Sequence, residues 1–189
     1  MIIGIIQSCC NPSPLKLRIS SLSARIEKIA EIKYSIIHDT NNYFTEPIQN
    51  ITNTIAYDSL GIIIQAEQES YAYYLNGNVF NQLLACSPSE SYELLTDINI
   101  TSDNDYNANF IAGTNLKDIL SIRSGSNPFA VKGISLQSFL VTNYITEGIM
   151  FLTFNEPPEE VNKHNITIEF ITLNGIKHST TINDIIIGK

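Results

Sequence analysis

Tryptophan is absent from this 189-residue chain, and histidine and cysteine occur three times each. The sequence has no uninterrupted apolar run of 18 residues, so it offers no segment for a membrane-spanning helix. Basic residues are scarce. Eleven Lys and Arg stand against nineteen Asp and Glu, a net charge of −8. A surface of that sign repels phosphate backbones, and no basic cluster interrupts it, which argues against nucleic acid as a partner. The three histidines, His38, His164 and His178, form no HxxxH or HExxH spacing, so a zinc site has no motif to rest on. GxSxG, CxxC and Gly-rich phosphate loops are missing too. No cofactor and no enzymatic reaction are expected from these residues.

What the chain does have begins at its front. Met1–Pro14 reads MIIGIIQSCCNPSP. Ile6-Gln7-Ser8-Cys9 has the order of a lipobox: a branched apolar residue, a variable one, a small one, then the cysteine that is acylated. On this reading Cys9 carries lipid, residues 1–9 are the remnant of an export signal, and residues 10–14 are a spacer. Signal peptides open with a basic segment and about 7–15 apolar residues. Only eight residues precede Cys9 and none is basic, so the lipobox reading puts the start upstream of Met1. The alternative is an edge strand that opens the domain. An exported protein can pair its remaining thiols, Cys10 and Cys86. That bridge would close a loop of about 77 residues, for roughly 4 kcal/mol in the chain-entropy model. Cys86, in Leu-Leu-Ala-Cys-Ser-Pro, reads equally well as a small buried hydrophobe.

Short strands dominate the pattern downstream. Leu17 and Ile19 alternate with Lys16 and Arg18, a half-buried strand. The β-branched and aromatic content of Ile32–Ile37 predicts another strand, after a helical turn near Ser23–Lys28. Asn41–Thr54 is polar, contains Pro47 and reads as loop. Leu60–Gln65 is a compact apolar strand, and Tyr71–Leu75 is a second, closed by Asn76-Gly77-Asn78. In Leu94–Thr101, Thr96, Ile98 and Ile100 share a face. Ser102–Thr114 is an Asp/Asn-dense loop, after which Asn115 caps a short helix over Leu116–Leu120. Ile134–Val141 alternates loosely. Ile149–Phe154 is apolar on both faces, as in a central strand, and Pro157-Pro158 ends it. Asn174-Gly175 marks a hairpin between Asn165–Leu173 and Ile176–Ile187. A three-residue bulged loop that pairs Ile168 with Ile182 is preferred over a two-residue turn that pairs it with Thr181. With no βαβ rhythm, the expected fold is an antiparallel, immunoglobulin-like β-sandwich with one or two short helices, a single domain over residues 15–189.

The paired Cys9-Cys10 after a lipobox, Ala85-Cys86, TSDNDYNANFIAGTNLKDIL (Thr101–Leu120) and IMFLTFNEPPEEVNKHNITIEF resemble a family of uncharacterised lipoproteins of Bacteroidetes, described as a domain of unknown function. The resemblance implies an exported, lipid-anchored, mainly β protein of the outer membrane and brings no catalytic residues. Asn11–Pro14 in place of an acidic cluster after the cysteine points to the periplasmic side. Asp58-Ser59-Leu60 is similar to the short O-glycosylation motif of that group, with Ser59 as the acceptor.

Three further features bear on chemistry. Asp103, Asp105 and Asn107 occupy the first three ligand positions of a calcium loop. Ala108 and Thr114 stand where glycine and glutamate belong, so side chains that cap their own turns explain the stretch without metal. Tyr71, Tyr73 and Tyr74, downstream of Glu67 and Glu69, could stack on a sugar or meet a protein partner; the simpler reading is a strand that packs them. The histidines read as surface or strand-edge residues. The expected function is a non-enzymatic binding or assembly component of the cell envelope, held by a lipid anchor and meeting a glycan or an envelope protein. A carbohydrate-binding module and an envelope hydrolase are the alternatives.

Overall fold

A computed structural model describes residues 16–35, 40–48, 52–71, 90–91, 93–125, 127–142 and 149–189. Two sheets pack as a sandwich. The larger has the strand order β2 (Thr40–Pro47), β1 (Lys16–Ser35), β4 (Leu60–Tyr71), β9 (Ile149–Phe154), β7 (Leu120–Arg123), β8 (Ile134–Ser135). The short β5 (Glu90–Ser91) pairs with the start of β1 in parallel. The smaller sheet runs β3 (Ile55–Ala56), β11 (Lys177–Gly188), β10 (Asn162–Thr172), β6 (Leu95–Ser102). Among the described residues all pairings are antiparallel except β1–β5 and β3–β11. The sandwich expected from the sequence is the fold.

One core joins the sheets. Ile62, Ile64 and Leu152 of the larger sheet meet Ile98, Ile168 and Ile185 of the smaller in a single buried cluster. Fully burying one such side chain contributes about 1.5–3 kcal/mol. Strand β9, apolar on both faces, serves two clusters. Leu152 faces the shared core, whereas Phe151 points to the outside of the sheet, where it meets Ile29 and Ile63 under Tyr43 and Phe129. Around Phe151 the outer face is therefore covered.

Strand β1 corrects the expected helical turn at Ser23–Lys28. It is one extended strand of 20 residues. Leu22 and Ile26 face the shared core, but Ile29 belongs to the outer cluster, so their helix-like spacing joins opposite faces of a strand. Pairing shifts at Ile19/Ser21 and Ile29/Glu31 mark bulges that disturb the two-residue period. Asn41–Thr54, expected as loop, holds β2, which pairs with the second half of β1. Pro47 ends that edge strand, where a missing N–H breaks no ladder.

Three smaller differences have local causes. Ile171 pairs with Asp97 and Thr172 with Leu95, which leaves Thr96 as the extra residue of a bulge. Leu95, not Thr96, consequently lies in the core. Ile134–Val141 turns helical after two residues, forming α1 (Leu136–Thr142). The Ser135 hydroxyl accepts the Ser138 N–H at 3.1 Å, an N-cap bond, and Leu136 and Phe139 are buried at helical spacing. The Leu116–Leu120 helix is a single 3-10 turn over Lys117–Ile119; the Asn115 side chain accepts the Lys117 N–H at 3.0 Å.

The hairpin loop has three residues, Leu173 to Gly175, closed by the Thr172 N–H on the Ile176 carbonyl at 2.9 Å. Gly175 has φ +77, the left-handed conformation such a loop requires. Centring the loop on Asn174 pairs Ile168 with Thr180 and Ile166 with Ile182, so the expected Ile168–Ile182 pairing is wrong. A second device restores the apolar register. Asn183 and Asp184 together oppose Asn165, and Asp184 takes φ +64. This bulge turns Ile185 and Ile187 inward, where an unbroken strand would have put Asp184.

Candidate functional site

An open groove of about 760 Å³ lies between the paired strands β1 and β2 and the segment 53–59 that contains β3. Lys28, Glu46, Pro47 and Ile48 line one wall; Asn53, Thr54, Ile55, Ala56 and Ser59 line the other. Lys28 and Glu46 are direct cross-strand neighbours. Ile48 packs on the core below, so the floor is apolar and the mouth carries hydroxyl, amide and opposite charges. The size and the mix are those of a ligand site. Strand β1 starts at Lys16, twelve residues from Lys28, or roughly 40 Å at strand rise. The groove therefore lies well along β1 from the strand's start, and β1 runs on past it to Ser35.

Ser59, expected as a glycosylation acceptor, stands on this wall. It is half-buried, in the 3-10 turn Tyr57–Ser59, and its hydroxyl donates to the Asp58 carboxylate at 3.2 Å. Cys9, Cys10, Cys86, Tyr73 and Tyr74 lie outside the described residues. Tyr71 ends β4, opposite Lys16.

The Asp/Asn loop spends its oxygens on hydrogen bonds within the protein. Asp105 accepts the Ala112 N–H at 2.7 Å, and Asn107 accepts the N–H groups of Asn109 and Phe110. Asp103 takes both the backbone N–H and the side-chain amide of Asn165, each at 2.7 Å. Those bonds hold the Asp103 carboxyl below the usual carboxylate range. Among the described residues no group of three His, Cys, Asp or Glu side chains could hold a metal ion.

His164 departs from expectation. It is fully enclosed, not a surface residue. Its Nδ1 lies 2.8 Å from the Ser102 hydroxyl, which also accepts the Asn104 N–H at 3.1 Å. The ring and the hydroxyl share one hydrogen bond, whose direction follows the ring tautomer. Tyr106 lies 5.8 Å from that ring, stacks on Phe154 and donates to the Glu156 carbonyl. Burial lowers the His164 pKa, outweighing the pull of nearby Asp103, and raises that of Tyr106. This Ser–His pair resembles a nucleophile and its base, but no substrate can reach an enclosed ring. Its geometry fastens the loop to β10.

His178 pairs across the hairpin with Phe170; its Nε2 is 4.0 Å from the buried Glu93, whose carboxylate accepts the Ile19 N–H at 2.5 Å. Sequence reasoning passed over Glu93, Glu27 and Arg123. Arg123 ends Leu-Ser-Ile-Arg, where alternation assigns it to the side away from the core; nothing local reveals that this side is roofed.

Among the described residues no helix is long and apolar enough to cross a membrane. No protein-family model, curated protein or solved structure matches the chain.

Proposed function

We propose that the protein is a non-enzymatic binding or assembly component of the cell envelope, anchored by lipid on Cys9 and presenting its groove to an envelope partner. The observation that carries this reading is the position of the groove, roughly 40 Å along β1 from Lys16. A tether entering at Lys16 leaves that end of the sandwich turned away from the lipid. Two acyl chains would hold such a domain firmly, where one gives only reversible binding. The enclosure of the Ser102–His164 pair and the commitment of Asp103, Asp105 and Asn107 to backbone bonds favour binding over hydrolysis. The groove's paired Lys28 and Glu46, with no excess of either sign, suit a neutral, hydrogen-bonding partner surface such as a glycan or a polar protein segment.

A photo-crosslinking residue placed at Asn53 in the full chain, in its native cell, tests the proposal. A discrete adduct in the membrane fraction is expected from Asn53 and none from Ser138, on α1. An absent adduct at Asn53, or the same adduct from both positions, would overturn it.

A further inference from the structure

Two large apolar side chains stand in the open at the tip of the C-terminal hairpin. Leu173 is 65% exposed and Ile176 48%, on either side of Asn174-Gly175. Leu95, the first residue of β6, pairs with Thr172, so the tip lies past the paired part of the smaller sheet. It is firmly held there. The Leu173 N–H donates to the Leu94 carbonyl at 2.7 Å, the Gly175 N–H to the Thr172 carbonyl at 2.9 Å, and the Ile176 N–H to the Thr172 hydroxyl at 3.2 Å. Single exposed apolar residues are ordinary on a protein surface. Two of them fixed on one turn, at the end of a sheet, form a small apolar wedge.

The wedge stands at the end of the sandwich where β1 begins. Glu93, next in the chain to Leu94, accepts the Ile19 N–H at 2.5 Å and lies 4.0 Å from His178, two residues after Ile176. Ile19 is three residues into β1 from Lys16. The groove sits at the other end of β11. There Ile55 and Ala56 pair with Ile187 and Gly188, roughly 35 Å from Lys177 at strand rise. Cys9 is seven residues from Lys16, and a chain of that length spans at most about 25 Å. A lipid on Cys9 therefore keeps the end that carries Leu173 and Ile176 within reach of the bilayer surface.

We propose that Leu173 and Ile176 dip into the interfacial zone of the membrane to which the chain is tethered, so that the domain stands on this end with its groove away from the lipid. The proposal rests on the lipid at Cys9 proposed above and adds the surface that meets the bilayer. Two side chains are too few to recruit a free domain to lipid. Once a tether holds the domain beside the surface the contact becomes intramolecular, and a small apolar gain sets its orientation. Lys177, the cation beside the tip, is already paired with Glu169 at 3.2 Å, and the net charge of −8 disfavours anionic headgroups. A zwitterionic bilayer is therefore the partner.

The chain has no tryptophan, so Leu173→Trp places a single reporter at the tip. The full chain, with Cys10→Ser and Cys86→Ser, is coupled through Cys9 to a maleimide lipid in phosphatidylcholine vesicles, which supplies the tether whether or not the cell does. Acyl chains brominated close to the headgroup should quench the Leu173→Trp reporter. They should leave Ile111→Trp unquenched, since Ile111 is exposed in the loop at the Ser102 end of β6. Ile176→Asp, which keeps the tether and charges the tip, should cut the Leu173→Trp quenching several-fold. Ile176→Trp, with Leu173→Asp as its charged counterpart, serves where Leu173→Trp does not fold. A tip reporter that stays unquenched while the chain floats with the vesicles would overturn the membrane contact and leave lipidation of Cys9 in cells untouched. Equal quenching at positions 173 and 111, or quenching that the added charge does not reduce, would overturn it as well.

Discussion

His164 Nδ1 and Ser102 Oγ lie 2.8 Å apart inside the protein and fasten the Asp/Asn loop to the C-terminal hairpin. The pH dependence follows from burial. His164 has a lowered pKa in the folded chain, so below its ordinary value near 6.5 the unfolded chain binds a proton that the folded chain refuses. Its contribution is fully present above that pH and declines as pH falls, by up to about 1.4 kcal/mol per pH unit. Urea midpoints measured from pH 8 to pH 5 should fall. His164→Gln should be less stable at pH 8 and show a flatter slope below 6.5. A parallel slope in the two proteins would refute this assignment.

Asn165 ties three segments together, since its amide donates to Asp103 while its side-chain oxygen accepts the Asp184 N–H at 2.8 Å. Asn165→Ala should therefore cost about 1–3 kcal/mol in chemical denaturation, the range for stranded polar partners. A change below about 0.5 kcal/mol would mean that the bulge holds without it.

Asp184 sits at φ +64, where a β-branched residue is strained. Asp184→Gly is expected to change stability by less than about 1 kcal/mol, because glycine relieves the backbone while the Lys163 ion pair at 2.7 Å is exposed and weak. Asp184→Val should cost more than Asp184→Gly by about 1–2 kcal/mol. Equal melting temperatures for the two variants would contradict the role given to this bulge.

Gly61 has no room for a side chain. A Cβ would lie 2.3 Å from the Phe151 ring, so Gly61→Ala should destabilise by about 1–3 kcal/mol through overpacking. Phe151→Leu in the same chain should recover part of that loss, a coupling that a double-mutant cycle measures. Purely additive effects would show that the ring is not the obstacle.

The strands whose burial follows their own alternation were legible from sequence. Ile149–Phe154, apolar on both faces, could only be a central strand, and Asn174-Gly175 announced its hairpin. Bulges were not legible, because each shifts the apolar phase by one residue and imitates another pattern. Odd spacing misleads as well: Ile26 and Ile29 fit one helix face, but three residues apart in a regularly paired stretch of β1 they lie on opposite faces of the sheet. The surroundings of the buried Arg123 were less legible still. Arg123, Tyr43 and Thr153 come from three strands far apart in the chain, and their chemistry depends on Phe129 and Gly133 roofing a face that alternation alone would leave to solvent.

The proposed lipid on Cys9 carries the proposal about compartment. Growing the native cells with an alkyne-tagged fatty acid and following the label on the wild-type chain and on Cys9→Ala tests it most directly. The account predicts a labelled, membrane-bound wild type and an unlabelled variant in the soluble fraction. A wild-type chain that takes up no label, or a Cys9→Ala variant that stays with the membranes, would contradict it.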